Sequence, residues 1–282
     1  MMMRRIIVLL AGLLCVACCW ANAEGELTAR DLNSTDAFAF SLERVLHLTP
    51  PDDAKYNNYF VQQGCCTDGI YAYTILENQK IGKGSIWKLD MKDWSVVDTK
   101  YNLPIDHGND ITYNPVLDQL IVVHNKPNYT FISFVDPDTL KHVAAKELPY
   151  RMYAISYEPT RDQYVVGISG TFHFAILDSN FETLAYYEGV DTGFTKQNID
   201  SDENYIYFSQ WKGGTKGNVV MVYDWEGNFV TQIRVKGYQE IESLLHVGDE
   251  WYIAFYSDRA SHIYRATLEY DSKKAYQSTL YQ

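Results

Sequence analysis

The sequence predicts an all-β fold: a five-bladed β-propeller with four antiparallel strands per blade. Three observations carry this. An Asp-centred turn leading into an apolar strand recurs at Asp68, Asp118, Asp162, Asp202 and Asp249, spaced 50, 44, 40 and 47 residues apart. A second series, Asp90, Asp136, Asp178 and Asp224, ends a later strand in step, with residues 264–266 in the fifth place. Near-continuous apolar runs such as 119–125 (QLIVVHN) fit strands covered on both faces, and more alternating runs fit half-exposed ones. A period of about 40–50 residues built from short strands belongs to propellers.

The elements follow in chain order. Residues 1–23 read as an export leader: Arg4 and Arg5, an apolar run over 6–19, then Ala21-Asn22-Ala23 as a small-residue cleavage site. The run is too short for a comfortable membrane span. Acylation at Cys18 is the alternative, with Cys15-Val16-Ala17 a poor match to a lipoprotein signal. Residues 24–40 read as a flexible lead-in and 41–282 as the propeller. Segment 42–48 (LERVLHL) reads as a strand that completes the outer edge of the last blade.

The first repeat opens at 63–74. The second runs 107–115, 119–125, 129–136 and 140–148; the third 150–159, 163–168, 171–178 and 181–187; the fourth 196–201, 205–211, 218–224 and 228–235. The fifth opens over 240–256. No long helix is expected. The glycine-rich 213–217 lies between strands and reads as a hairpin loop, because no helix N-terminus follows to hold phosphate.

Composition narrows the partners. Removing 23 residues from 282 leaves about 259, enough for one all-β domain. The leader carries two arginines and no acid, so its removal moves the net charge from −12 to −14. That argues against nucleic acid and anionic membrane, and for neutral or cationic partners: a small molecule, peptide or glycan. No later segment is apolar enough to span a bilayer, and a monomer is expected. Outside the leader only Cys65 and Cys66 remain, and adjacent cysteines rarely bridge. Asn33 and Asn128 head glycosylation sequons.

Inner strands of a propeller line its axis, so residues at their entries face one another. Those entries hold Gln63, then His107, Asn109 and Asp110, then Arg151 and Tyr153, then Gln197 and Asn198, then Glu240 and Glu242. Polar groups at every entry predict a wet mouth that binds a ligand. Carboxylates and amides suit an ammonium group, acid–base work by a desolvated carboxylate, or Ca²⁺ as the one cofactor to consider. His107 is a candidate base, with a hydrogen-bonded structural role as its alternative. Trp211 and Tyr153 are candidate stacking surfaces. Ser169 and Ser209 lack a nucleophile elbow and a paired base.

These motifs resemble the five-bladed glutaminyl-peptide cyclotransferases of plants and bacteria. Gln63-Gly64 is followed by Glu77 and then Gly84-Ser85; His107-Gly108-Asn109-Asp110 opens a blade; Gln239-Glu240-Ile241-Glu242 is similar to an Asn-Glu-Leu-Glu motif. Two departures stand out: ENQK at 77–80 where that family has Glu-Ser-Thr-Gly, and Gln239 in place of Asn. The chain is also similar to secreted bacterial propellers of no assigned activity and, more broadly, to calcium-dependent lactonases. The first resemblance implies Glu77 as the proton-transfer group, with Gln63, Asn109 and Gln239 orienting an amide. The sequence leaves open whether the mouth only binds or also catalyses.

Overall fold

The structure is a computed structural model and describes residues 38–213, 217–235, 237 and 239–270. The leader, the sequon at Asn33 and most of the 24–40 lead-in lie outside the described residues, as do positions 214–216 of the glycine loop. Among the described residues every regular element is a strand, and no helix is long and apolar enough to cross a membrane.

The strands are β1 (Phe38–Leu48), β2 (Tyr59–Thr67), β3 (Tyr71–Asn78), β4 (Lys83–Asp90), β5 (Val96–Lys100), β6 (Asp110–Asn114), β7 (Gln119–Val123), β8 (Phe131–Val135), β9 (His142–Glu147) and β10 (Met152–Glu158). They continue as β11 (Gln163–Ile168), β12 (Phe174–Asp178), β13 (Thr183–Tyr187), β14 (Thr195–Ser201), β15 (Tyr205–Trp211), β16 (Asn218–Asp224), β17 (Phe229–Val235), β18 (Glu240–Val247), β19 (Glu250–Ser257) and β20 (Ala260–Tyr270). Three sheets are four-stranded antiparallel meanders: β2–β5, β6–β9 and β10–β13. The fourth has eight strands in the order β14-β15-β16-β17-β1-β20-β19-β18.

That last sheet differs from the expected five separate ones. β1 pairs antiparallel with β20 from Phe38↔Tyr270 to Leu48↔Ser261. On its other edge β1 meets β17 in parallel at only two positions, Ala39↔Arg234 and Phe40↔Val235. The strand also begins at Phe38, inside the segment read as lead-in. Phe38 and Phe40 are buried in a core with Val220, Ile233 and Ile253, and that burial orders them.

The apolar pattern sets which strands are covered. β3, β7, β11 and β15 are buried along most of their length, whereas β5, β9 and β13 are largely exposed. Each core cluster joins two neighbouring sets of strands. Ile121 and Val123 pack with Ile155 and Tyr164, and Phe174 packs with Phe208 and Met221. Fully burying one such large side chain is worth about 2–3 kcal/mol.

The repeated aspartates are turn builders. Asp118 and Asp162 adopt φ of 51° and 52°, a left-handed conformation that Asp tolerates better than most residues. Asp68 Oδ1 and Asp202 Oδ1 each accept two backbone N–H groups two and three residues on. Each of these four also receives a tyrosine hydroxyl five residues away: Tyr73, Tyr113, Tyr157 and Tyr207, at 2.7–2.8 Å.

Some boundaries move. The strand expected from 107 begins at Asp110, because Asp106 and Gly108 have φ of 51° and 65°. The outer strands expected from 140 and 181 begin at His142 and Thr183, after positive-φ turns at Leu140 and Phe181.

Candidate functional site

The inner strands β2, β6, β10, β14 and β18 pack one against the next, and β18 returns to β2. A circuit of hydrogen bonds ties them. Asp110, on β6, is fully buried. Its Oδ2 accepts the backbone N–H of Ile155 and Ile199 at 3.0 and 3.2 Å, on β10 and β14. Its Oδ1 accepts Ile111 N–H and Asn198 Nδ2, both at 3.0 Å. Asn198 Oδ1 in turn accepts Leu244 N–H, on β18, at 2.8 Å. Ser243 Oγ accepts Cys65 N–H and donates to Cys65 O, on β2. Gly64 N–H donates to Asn109 O and closes the circuit.

Gly64 is required by this packing. A Cβ there would lie 2.5 Å from the Asp110 Cα and Oδ1. Burial pushes the Asp110 carboxyl up to about 8, against the Asn198 and backbone donors that hold it ionised. Asp110 and Asn198 were both candidate ligand contacts. Their polar side-chain atoms are all hydrogen-bonded within the protein, so they act as ties between strands.

At the end of the axis where β6, β10, β14 and β18 begin, a different set gathers. Glu77, next to last in β3, is 5% exposed. Its Oε1 lies 2.9 Å from His107 Nδ1, whose loop Gly108 turns, and its Oε2 is buried without a hydrogen-bond partner among the described residues. Glu242, 6% exposed, likewise finds no side-chain hydrogen bond among them. Burial, then the charges of Glu240 and Glu77, push its carboxyl well above the usual range. Burial also raises Glu240, offset in part by Gln197 Nε2 donating to its Oε1 at 2.7 Å. Glu242 is thus within electrostatic range of both Glu240 and Glu77.

Gln63 is buried beside Gly64, and its side chain makes no hydrogen bond among the described residues. Asn109 Nδ2 donates to Tyr153 O, and Asn109 Oδ1 accepts Asn125 Nδ2, so this amide is held by the protein. Tyr153 lies against Gly167, where a Cβ would sit 2.4 Å from its ring, and Lys196 Nζ stands 5.0 Å from the ring centroid. Burial lowers the Lys196 ammonium, opposed by Asp191. Arg151 is exposed and stacks on Tyr129 at 4.4 Å. Trp211 is half-buried, with Nε1 buried and unpartnered among the described residues. Gln239 donates to Ser257 Oγ at 2.8 Å and accepts from the Tyr264 hydroxyl.

Two features escaped the sequence. One is a chain in the β6–β9 sheet. Asp106 Oδ2 faces His124 Nδ1 at 2.8 Å, His124 Nε2 faces Ser133 Oγ at 2.7 Å, and Ser133 Oγ faces His142 Nε2 at 3.1 Å. The order mimics a hydrolytic triad, but Ser133 is fully buried and out of reach of any substrate. The only signal was a lone histidine in an apolar strand. The other is an Asp200–His246 pair at the far end of the axis, at 2.6 Å. It joins residues 46 positions apart, and no local pattern announces it. Among the described residues no group of three or more His, Cys, Asp or Glu side chains is arranged to hold a metal ion.

The fold has relatives among solved structures. Myxococcus xanthus glutaminyl cyclase matches with a TM-score of 0.61 and 10% identity, over 83% of this chain and 98% of that one. A tail fibre of Staphylococcus aureus phage P68 matches with a TM-score of 0.56 and 9% identity, over 86% of this chain and 55% of that one. At such identities the likeness shows the fold alone, a β-propeller-like one. No protein-family model and no curated protein matches the chain.

Proposed function

We propose that this chain is an exported five-bladed propeller whose axial mouth binds the amino group of a small molecule or peptide. The blade count treats the eight-stranded sheet as two blades, β14–β17 and β18–β20 with β1, touching at two β1–β17 register positions. Export rests on the basic, then apolar, first 23 residues.

The observation that carries the binding reading is Glu77 Oε2, a buried acceptor with no partner among the described residues. Leaving such an oxygen unpaired costs about 1–3 kcal/mol. A ligand ammonium or amide N–H removes that cost, and the acidic net charge of the chain favours the cationic form. The test is calorimetric titration of the mature chain with a short peptide, against its N-acetylated twin. The free amine should bind at least about tenfold tighter, and Glu77→Gln should abolish the difference. Equal binding of the two peptides refutes the reading.

A second reading, cyclisation of an N-terminal glutamine, is favoured by the Glu77–His107 contact and by the motif resemblance. The substrate amine attacks its own side-chain amide carbon, a C–N bond forms, and ammonia leaves. Glu77 takes the proton from the attacking nitrogen and returns it to the departing one. His107 holds the Glu77 carboxylate in place. Formation of a pyroglutamyl peptide with release of ammonia from a Gln-initiated peptide decides it: turnover lost in Glu77→Gln supports catalysis, and binding without turnover leaves the mouth a receptor.

A further inference from the structure

The axis has a second end. Where β2, β6, β10, β14 and β18 finish, their last residues and the turns after them line an open-sided cavity of about 270 Å³, just below the usual range of ligand pockets. Glu77, Glu240 and Glu242 are not among its lining residues. It belongs to the turn end of the repeats, and the reading of the mouth does not use it.

Its chemistry is specific. His246 Nδ1 is held by Asp200 Oδ2 at 2.6 Å, and the imidazole lies flat on Trp251, centroids 4.9 Å apart at 29°, with Tyr207 edge-on. Pair and stacking fix the ring. His246 Nε2 and Asp200 Oδ1 have no hydrogen-bond partner among the described residues. Burial alone would pull the imidazole down, but the Asp200 charge and hydrogen bond outweigh it and lift it to about 9. At neutral pH the wall therefore offers a donor, Nε2–H, beside an acceptor, Oδ1, on a pair with no net charge.

Two hydroxyls continue the pattern. Ser156 Oγ and Ser201 Oγ lie 2.8 Å apart, so one hydrogen is shared and the other is left for a ligand. Tyr113, Pro115 and Pro159 add apolar faces. Other ligand classes fit less well. An anion would meet Asp200 and Asp68, and a cation would find the Asp200 charge already paired with His246 and the Asp68 oxygens already taken by Ile70 N–H, Tyr71 N–H and the Tyr73 hydroxyl. Alternating donors and acceptors against ring faces match neighbouring hydroxyls on a carbon skeleton.

We propose that this cavity binds a small neutral polyol of monosaccharide size, with adjacent hydroxyls paired to Asp200 Oδ1 and His246 Nε2 and a third to the Ser156–Ser201 pair. The experiment is saturation-transfer NMR on the mature chain, with glucose and mannitol as probes and glucose 6-phosphate and glucosamine as charged counterparts. Transfer to the C–H protons of a neutral probe is expected. It should fall about tenfold in Asp200→Asn and in Ser201→Val, with weaker signals from both charged probes. Should Asp200→Asn fail to fold by near-ultraviolet circular dichroism, Ser156→Ala gives the same reading with less disturbance. No transfer to either neutral probe, transfer unchanged in the variants, or stronger transfer to a charged probe overturns the proposal.

Discussion

Asp110 and Glu77 are both buried carboxylates near the axis, on strands of adjacent sheets, yet their surroundings differ. Asp110 receives four donors from three inner strands. Glu77 has one oxygen on His107 and the other unpartnered among the described residues. A saturated buried carboxyl holds a scaffold together, whereas a half-satisfied one stores a cost that a ligand can remove. Burial depth does not separate the two roles; hydrogen-bond saturation does.

The sharpest way to break this comparison is Asp110→Ala. It strands three backbone N–H groups and the Asn198 amide, and should cost about 4 kcal/mol in denaturant unfolding. A loss under about 1 kcal/mol would mean that the circuit is not what holds the inner strands. Next is the pH dependence of the far end. His246 titrates near 9 when folded and near 6.5 when unfolded, so the Asp200 pair stabilises fully below 6.5 and is lost as pH rises through 9. Stability should fall by about 3 kcal/mol across that window, and the His246→Gln melting curve should lack this slope.

Glu77→Gln comes third and should invert the Asp110 result. Stability should change by less than about 1 kcal/mol, because no saturated network is broken, while discrimination for a free amine disappears. A large stability loss with intact discrimination would put Glu77 in the scaffold. The smallest effect is expected at the closing strand. His47 Nδ1 and His262 Nδ1 face each other at 3.1 Å across β1 and β20, and burial, then His47, lower the His262 imidazole. Its contribution is present above about 6.5 and is lost as pH falls through its folded value. His262→Gln should flatten that acid-side decline in thermal melting followed across pH.

Much of the fold was legible because its chemistry is local. Asp118 and Tyr113 sit five residues apart and bond across one turn, as do Asp162 and Tyr157, so the motif repeats wherever the turn does. The candidate site was legible only as a list. Gln63, His107, Glu240 and Glu242 were read as mouth residues, and Glu77 came only from the family resemblance. Asp110 and Asn198 carry the same residue types, and nothing in their neighbours marks them as ties rather than contacts.

The sequence by itself determined the strand period, the turn positions and the covered and exposed strands, since each depends on residues within one hairpin. Only the tertiary structure decided which polar groups are satisfied. Asp110 meets Asn198 across 88 positions, and Ser243 meets Cys65 across 178. β1 likewise closes the sheet by pairing with a strand more than 200 residues away. Saturation of a buried polar group is a property of all the strands around it, and it exists only once the ring has closed.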